Sequence, residues 1–247
     1  MAAQSVVSSD DRVLLPLLIS GVAFGGVIFD LDGTLLDTES VLDSVIVETC
    51  ESDFGVTVDD AALHSVRGLP DHGLNGWPSA LLTKLGVDHE LAPSLFSAVD
   101  ARFAKRAGST PMMPGASRVV TSLAARGVPL AIATSSTRAA LTVKRVSHEK
   151  SIFSHFRAFI CVEDVAPRAK PFPDAFLQAA AALKLECSVC VAVEDSVPGV
   201  TAALAAGCFV VAVPLPAHRE LVRRLGAHLV LDSLDDWDVD ALCVAVF

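Results

Sequence analysis

Several things that would give this chain an easy function are missing from it. No run of Lys or Arg is long enough to track a phosphate backbone, and the formal net charge is −10. Nucleic acid is therefore not an expected partner. No G-x-G-x-x-G follows the first apolar strand, which excludes the usual dinucleotide site. The pair in "CSVC", Cys187 and Cys190, has metal or redox spacing, but no second CxxC or CxxH stands near it. The six cysteines, scattered from Cys50 to Cys243, read instead as buried reduced thiols of a cytoplasmic protein. No basic segment precedes the apolar stretch from Val13 to Phe29; Asp10 and Asp11 stand there instead. That is wrong for a secretory leader. Residues 1–25 are read as an extension of unknown role, with a membrane or organelle-targeting role as the open alternative and no stable membrane partner expected.

What is present is a chain of 247 residues, 52% hydrophobic, long enough for one large domain or a domain carrying an insert. From Pro114 onward, short apolar runs alternate with helical patterns: "VPLAIATSS", "AFICVED", "SVCVAVEDS", "CFVVAVP" and "HLVL" as strands, with "GASRVVTSLAARG", "PDAFLQAAAALKL", "PGVTAALAAG" and "AHRELVRRLGA" as helices between them. Continuous apolar strands alternating with helices predict a parallel sheet covered on both faces, an α/β fold with a Rossmann-like core. Residues 41–111 carry no strong strand signal and are expected to form an inserted helical cap, with "DTES" as the outgoing linker and "GSTPMMPGAS" as the return. The core is then 26–40 and 112–247.

The chemistry collects at the predicted strand ends, where ligands bind in such sheets. "GVIFDLDGT" runs a greasy strand into Asp30 and Asp32; "IATSS" ends in Thr134, Ser135 and Ser136; "VAVEDS" ends in Glu194 and Asp195; Lys170 stands in "RAKPFPD". Any one of these acids alone would read as a helix cap. Together they supply hard oxygens for Mg²⁺ from Asp30, Asp195, Glu194 and the Asp32 carbonyl. They also supply an anion cradle at Thr134 and a point charge at Lys170. One carboxylate can then attack phosphorus, and a second, two residues on and on the same side of an extended chain, can protonate the leaving oxygen.

"FDLDGTLLDTES", "IATSS", "KPFPD" and "VEDSVPGVTAA" resemble, in order and spacing, the four motifs of the haloacid dehalogenase-like hydrolase superfamily. The insert after the first motif resembles members with a small helical cap. The nearest resemblance is to the branch holding β-phosphoglucomutase-like enzymes and the pseudouridine-5′-phosphatase, glycerol-3-phosphatase and FMN-phosphatase group. The resemblance implies Asp30 as nucleophile, Asp32 as general acid/base, Thr134 as phosphate ligand, Lys170 as the third-motif lysine, and Asp195 with Glu194 at Mg²⁺. It implies a phosphatase of a small phosphorylated metabolite, since the superfamily's dehalogenases lack the second aspartate. Ser135, Ser136 and Arg138 after the second motif, and Arg67 and His72 in "RGLPDHG", are further candidate substrate contacts. The loop "CVEDVAPRAK" departs from the Gly-Asp-Asp that relatives often carry there. A phosphosugar mutase and a non-catalytic regulatory protein on the same fold are the alternatives. A monomer is expected, because such a core needs no partner to complete its site.

Overall fold

The computed structural model describes residues 24–66 and 76–239. Its centre is a six-stranded, wholly parallel sheet in the order β3-β2-β1-β4-β5-β6. The strands are β1 (Gly26–Phe29), β2 (Leu130–Ala133), β3 (Phe156–Ile160), β4 (Cys190–Glu194), β5 (Phe209–Ala212) and β6 (Leu229–Val230). Beyond β1 lie α1 (Thr38–Phe54), α2 (Asp60–Val66), α3 (Trp77–Lys84) and α4 (Ala92–Arg106). The connections among the later strands are α5 (Ala116–Ala125), α6 (Arg138–Lys144), α7 (Val162–Val165), α8 (Asp174–Ala182), α9 (Val197–Ala205) and α10 (Arg219–Leu225).

Alternation along each strand divides the core into two unlike layers. Val27, Phe29, Leu130, Ile132, Val191 and Val193 face one side, packed with α5, Phe153, Phe156 and Trp237. Phe29 meets Phe156 edge-on, ring centres 5.9 Å apart at 87°, an arrangement that suits two aromatic quadrupoles. Ile28, Ala131, Ala133, Ala192 and Ala212 face the other side, against Ala175, Ala179 and Ala180 of α8 and Ala202 and Ala203 of α9. Small residues on both partners let these helices lie close to the sheet.

The insert has a core of its own. Val45, Ile46, Leu63, Trp77, Leu81, Leu82, Leu95 and Val99 form one buried cluster across α1–α4. On its surface Arg102 grips Asp53 with two 2.8 Å hydrogen bonds, and Arg106 pairs with Glu48. The segments that leave and re-enter the sheet domain are joined: Asp37 N–H donates to Pro111 O (2.8 Å) and Met113 N–H to Leu35 O (2.9 Å).

Two sequence expectations are corrected here. "DTES" is not a linker: Asp37 caps α1, accepting the Ser40 N–H at 3.2 Å, and the helix starts at Thr38. An aspartate ahead of a hydroxyl and an acid is a strong N-cap signal. "AFICVED" is not a strand ending in acids, for β3 stops at Ile160 and Glu163 and Asp164 belong to α7. The Asp164 carboxylate turns back to accept the Cys161 N–H at 2.7 Å, which ends the extended run. Cys50, Cys161, Cys187, Cys190 and Cys208 are buried free thiols, as expected. Among the described residues no helix is long and apolar enough to cross a membrane. The apolar stretch before Phe24, and Arg67 and His72, lie outside the described residues.

Phe29 is fully buried and fixes the strand that ends at Asp30. Phe29→Ala is expected to cost about 3–5 kcal/mol of folding stability, read from urea unfolding; a cost below about 1 kcal/mol would contradict this account of the core.

Candidate active site

The order of the sheet reverses beside β1, where the chain turns outward to β2 on one side and β4 on the other. Such a switch point opens a crevice at the carboxyl ends of the strands. Asp30 occupies it, its N–H donating to Val193 O at 2.9 Å, so that the first residue past β1 is still pinned to β4. A tight loop follows: the N–H groups of Leu35 and Leu36 both reach Leu31 O at 2.9 Å. Gly33 makes this loop possible. Its φ is +83°, and a Cβ there would collide with the Asp195 carboxylate. Thr34 Oγ1 donates to Asp195 Oδ1 at 3.0 Å.

Glu194 ends β4 with no exposed surface. Its Oε2 accepts the N–H groups of Asp195 (3.1 Å) and Ser196 (3.2 Å) and the Ser196 hydroxyl (3.1 Å). The carboxylate lies over the first turn of α9, and only the missing side chain of Gly199 leaves room for it. Lys170 Nζ closes the group, donating to Asp30 Oδ1 (2.5 Å), Glu194 Oε1 (2.5 Å) and Ala133 O (2.8 Å). One lysine thus ties together the tips of β1, β2 and β4.

Thr134 is buried at the tip of β2, its Oγ1 accepting the Ser136 N–H at 3.0 Å. Ser135 is exposed beside it. Ser136 Oγ donates to Asp32 Oδ2 at 2.6 Å. Arg138 points elsewhere: it pairs with Asp164 at 2.5 Å on α7, and its N–H meets the Glu163 carboxylate. Of the candidates from sequence, the structure gathers Asp30, Asp32, Thr134, Ser136, Lys170, Glu194 and Asp195, and leaves Arg138 engaged outside the cluster.

Sequence reading missed Lys144. It is 5% exposed, with Nζ 2.6 Å from Asp32 Oδ1 and 2.8 Å from Ser136 Oγ. The available signal was its spacing: it stands three residues after Leu141, on the buried face of α6. Thr34 was also missed, since a threonine after glycine reads only as a turn.

Charge in this crevice is unbalanced. Asp30, Asp32, Glu194 and Asp195 face two ammonium groups, Lys144 and Lys170. Burial first, then the neighbouring carboxylates Glu194 and Asp32, push Asp30 up to about 7, although Lys170 opposes this. Burial, Glu194 and Asp30 push Asp195 well above the usual carboxylate range. Burial works to lower Lys170, but Asp30 and Glu194 together outweigh it and raise its affinity for a proton. Oxygen atoms of Asp30, Glu194 and Asp195 lie within 4.8 Å of one another. An oxygen-only donor set with excess negative charge fits a hard divalent cation.

These features define a hydrolase-type site of carboxylates and a lysine at the edge of a doubly wound sheet. The model of the haloacid dehalogenase-like hydrolase family matches residues 24–207, and the chain belongs to that family. It is 35% identical over 217 residues to the bifunctional riboflavin kinase/FMN phosphatase of Arabidopsis thaliana, a match spanning 85% of this chain and 53% of that longer protein. It is 34% identical over 230 residues to a Drosophila melanogaster protein named "Probable pseudouridine-5'-phosphatase", covering 89% of this chain and 94% of the relative. A solved haloacid dehalogenase family hydrolase from Deinococcus radiodurans, crystallised with bound phosphate and sodium, superposes with a TM-score of 0.75 at 28% identity, covering 92% of this chain and 100% of that one.

A cation held by these carboxylates would compete with their protons. The raised Asp30 binds its proton more tightly folded than unfolded, so its contribution to stability falls as pH rises from about 4 towards about 7. A bound cation removes that loss. Added Mg²⁺ is therefore expected to raise the melting temperature more at pH 8 than at pH 5, measured by calorimetry after chelation; an equal rise at both pH values would contradict the charge account.

Proposed function

We propose that the protein is a Mg²⁺-dependent phosphatase of small phosphomonoesters that works through an aspartyl-phosphate on Asp30. The observation that supports this reading best is the placement of Asp30. Asp30 is 7% exposed at the tip of β1, with Oδ1 engaged by Lys170 and Asp32 two residues on. Relatives named as phosphatases and a related hydrolase holding phosphate agree with it.

In this reading Asp30 attacks phosphorus through the oxygen that Lys170 does not hold. The bond from phosphorus to the leaving oxygen breaks, and Asp32 gives that oxygen a proton. Asp32, now a carboxylate, takes a proton from water. The hydroxyl attacks the same phosphorus, the bond to Asp30 breaks, and inorganic phosphate leaves with the nucleophile restored. Asp30, Glu194 and Asp195 would hold Mg²⁺, with the Asp32 carbonyl as a further oxygen. Bound there, the cation screens the phosphoryl oxygens from the attacking carboxylate. The Thr134 hydroxyl and the N–H groups after it donate hydrogen bonds to the phosphoryl oxygens. Ser135 lies open beside them as a substrate contact. The helices α1–α4 serve as the cap that reads the leaving group, hinged where 35–37 meets 111–113, and Arg67 stays a candidate substrate contact on its sequence position alone.

The test is phosphate release by the full chain from a panel: nitrophenyl phosphate, pseudouridine 5′-phosphate, FMN, glycerol 3-phosphate and hexose phosphates, with and without Mg²⁺. Release is expected to need Mg²⁺ and to fall about 10³-fold or more in Asp30→Asn. Equal rates in wild type and Asp30→Asn would contradict the mechanism. Turnover that appears only with a sugar bisphosphate activator would move the reading to a mutase.

A further inference from the structure

Lys144 has no part in the reaction just described, yet its placement is costly. Lys144 is buried, and a buried ammonium group must be paired to be tolerated. Its partners form a closed triangle. Nζ donates to Asp32 Oδ1 (2.6 Å) and Ser136 Oγ (2.8 Å), while Ser136 Oγ donates to Asp32 Oδ2 (2.6 Å). Both oxygens of Asp32 are thereby anchored from one side, so the plane of the carboxylate is fixed as well as its position. The Phe103 ring, on α4 of the insert, lies 5.9 Å from the same Nζ.

The turn that follows the helix carrying Lys144 is itself moored. Ser147 Oγ hydrogen-bonds Gly108 O, and His148 Nε2 lies 2.7 Å from Thr110 O. Gly108 and Thr110 belong to the returning root of the insert. Lys144 therefore sits where three parts meet: the carboxylate after β1, the loop after β2 and the root of the helical insert.

We infer that Lys144 is a positioning residue for Asp32, fixing with Ser136 the direction from which Asp32 delivers its proton to the leaving oxygen. The inference rests on the phosphatase reading above and adds a residue to it. Lys170 organises the nucleophile, and Lys144 organises the acid/base. The two lysines divide the carboxylates between them: Lys170 holds Asp30 and Glu194, Lys144 holds Asp32.

A leaving-group comparison separates this role from a purely structural one. An alkoxide needs a proton to leave, whereas nitrophenolate needs little help. In Lys144→Met, kcat/KM is expected to fall about 10²-fold for glycerol 3-phosphate and less than about fivefold for nitrophenyl phosphate. Lys144→Arg, which keeps the charge, is expected to recover part of the loss. In the double variant with Asp32→Asn, the loss is expected to stay within about threefold of Asp32→Asn alone, because Lys144 acts through that carboxylate. Equal losses on both esters, or losses that multiply in the double variant, would overturn the inference. If Lys144→Met does not fold, Ser136→Ala decides the matter by the same ratio of the two esters, and an unchanged ratio overturns it. A wild type inactive on every ester with Mg²⁺ overturns the phosphatase reading and this inference with it. An active wild type with an unchanged Lys144→Met overturns this inference alone.

Discussion

The ammonium group of Lys170, held between Asp30 and Glu194, is the contact on which the rest of this site depends. Carboxylates from β1 and β4 cannot share a buried crevice without it, because Glu194 raises the hold of Asp30 on its proton, and Glu194 and Asp30 do the same to Asp195. Lys170 also donates to Ala133 O, so the same charge fixes the end of β2. The sheet supplies the mount and the lysine sets the distances. What one ammonium cannot do is neutralise the whole group, and the remaining negative charge gives the crevice its fit for a divalent cation.

Two glycines are part of that arrangement. Gly33 turns the chain back with a positive φ beside Asp195, and Gly199 leaves the first turn of α9 bare where the Glu194 carboxylate rests. A side chain at either position would occupy the space of a carboxylate. The aromatic layer under β1, from Phe29 to Phe156 and Trp237, serves the same end at longer range, because it keeps the strand that presents Asp30 from shifting.

Much of this was legible in the sequence, for identifiable reasons. Greasy runs that end in acids mark strand tips, and their alternation with helices such as "PGVTAALAAG" marks a parallel sheet. The four motifs then bring Asp30, Thr134, Lys170 and Asp195 to one edge. The misses have physical causes as well. "AFICVED" reads as a strand because periodicity cannot register that the Asp164 carboxylate will turn back onto Cys161. Lys144 was not tied to the site because its partner Asp32 is 112 positions away, a pairing only the fold creates. Arg138 follows the Thr134–Ser136 loop in sequence, yet the acids of α7 claim it.

The central claim is that Asp30 becomes phosphorylated during turnover. Its most direct test is to quench the wild-type protein in acid while it turns over its best substrate with Mg²⁺, reduce with borohydride, and sequence the peptides by mass spectrometry. The account predicts homoserine in place of Asp30, absent when substrate is omitted and absent from Asp32, Glu194 and Asp195. Reduction at another of these carboxylates, or at none while the intermediate accumulates and the leaving alcohol appears in a burst, would contradict it.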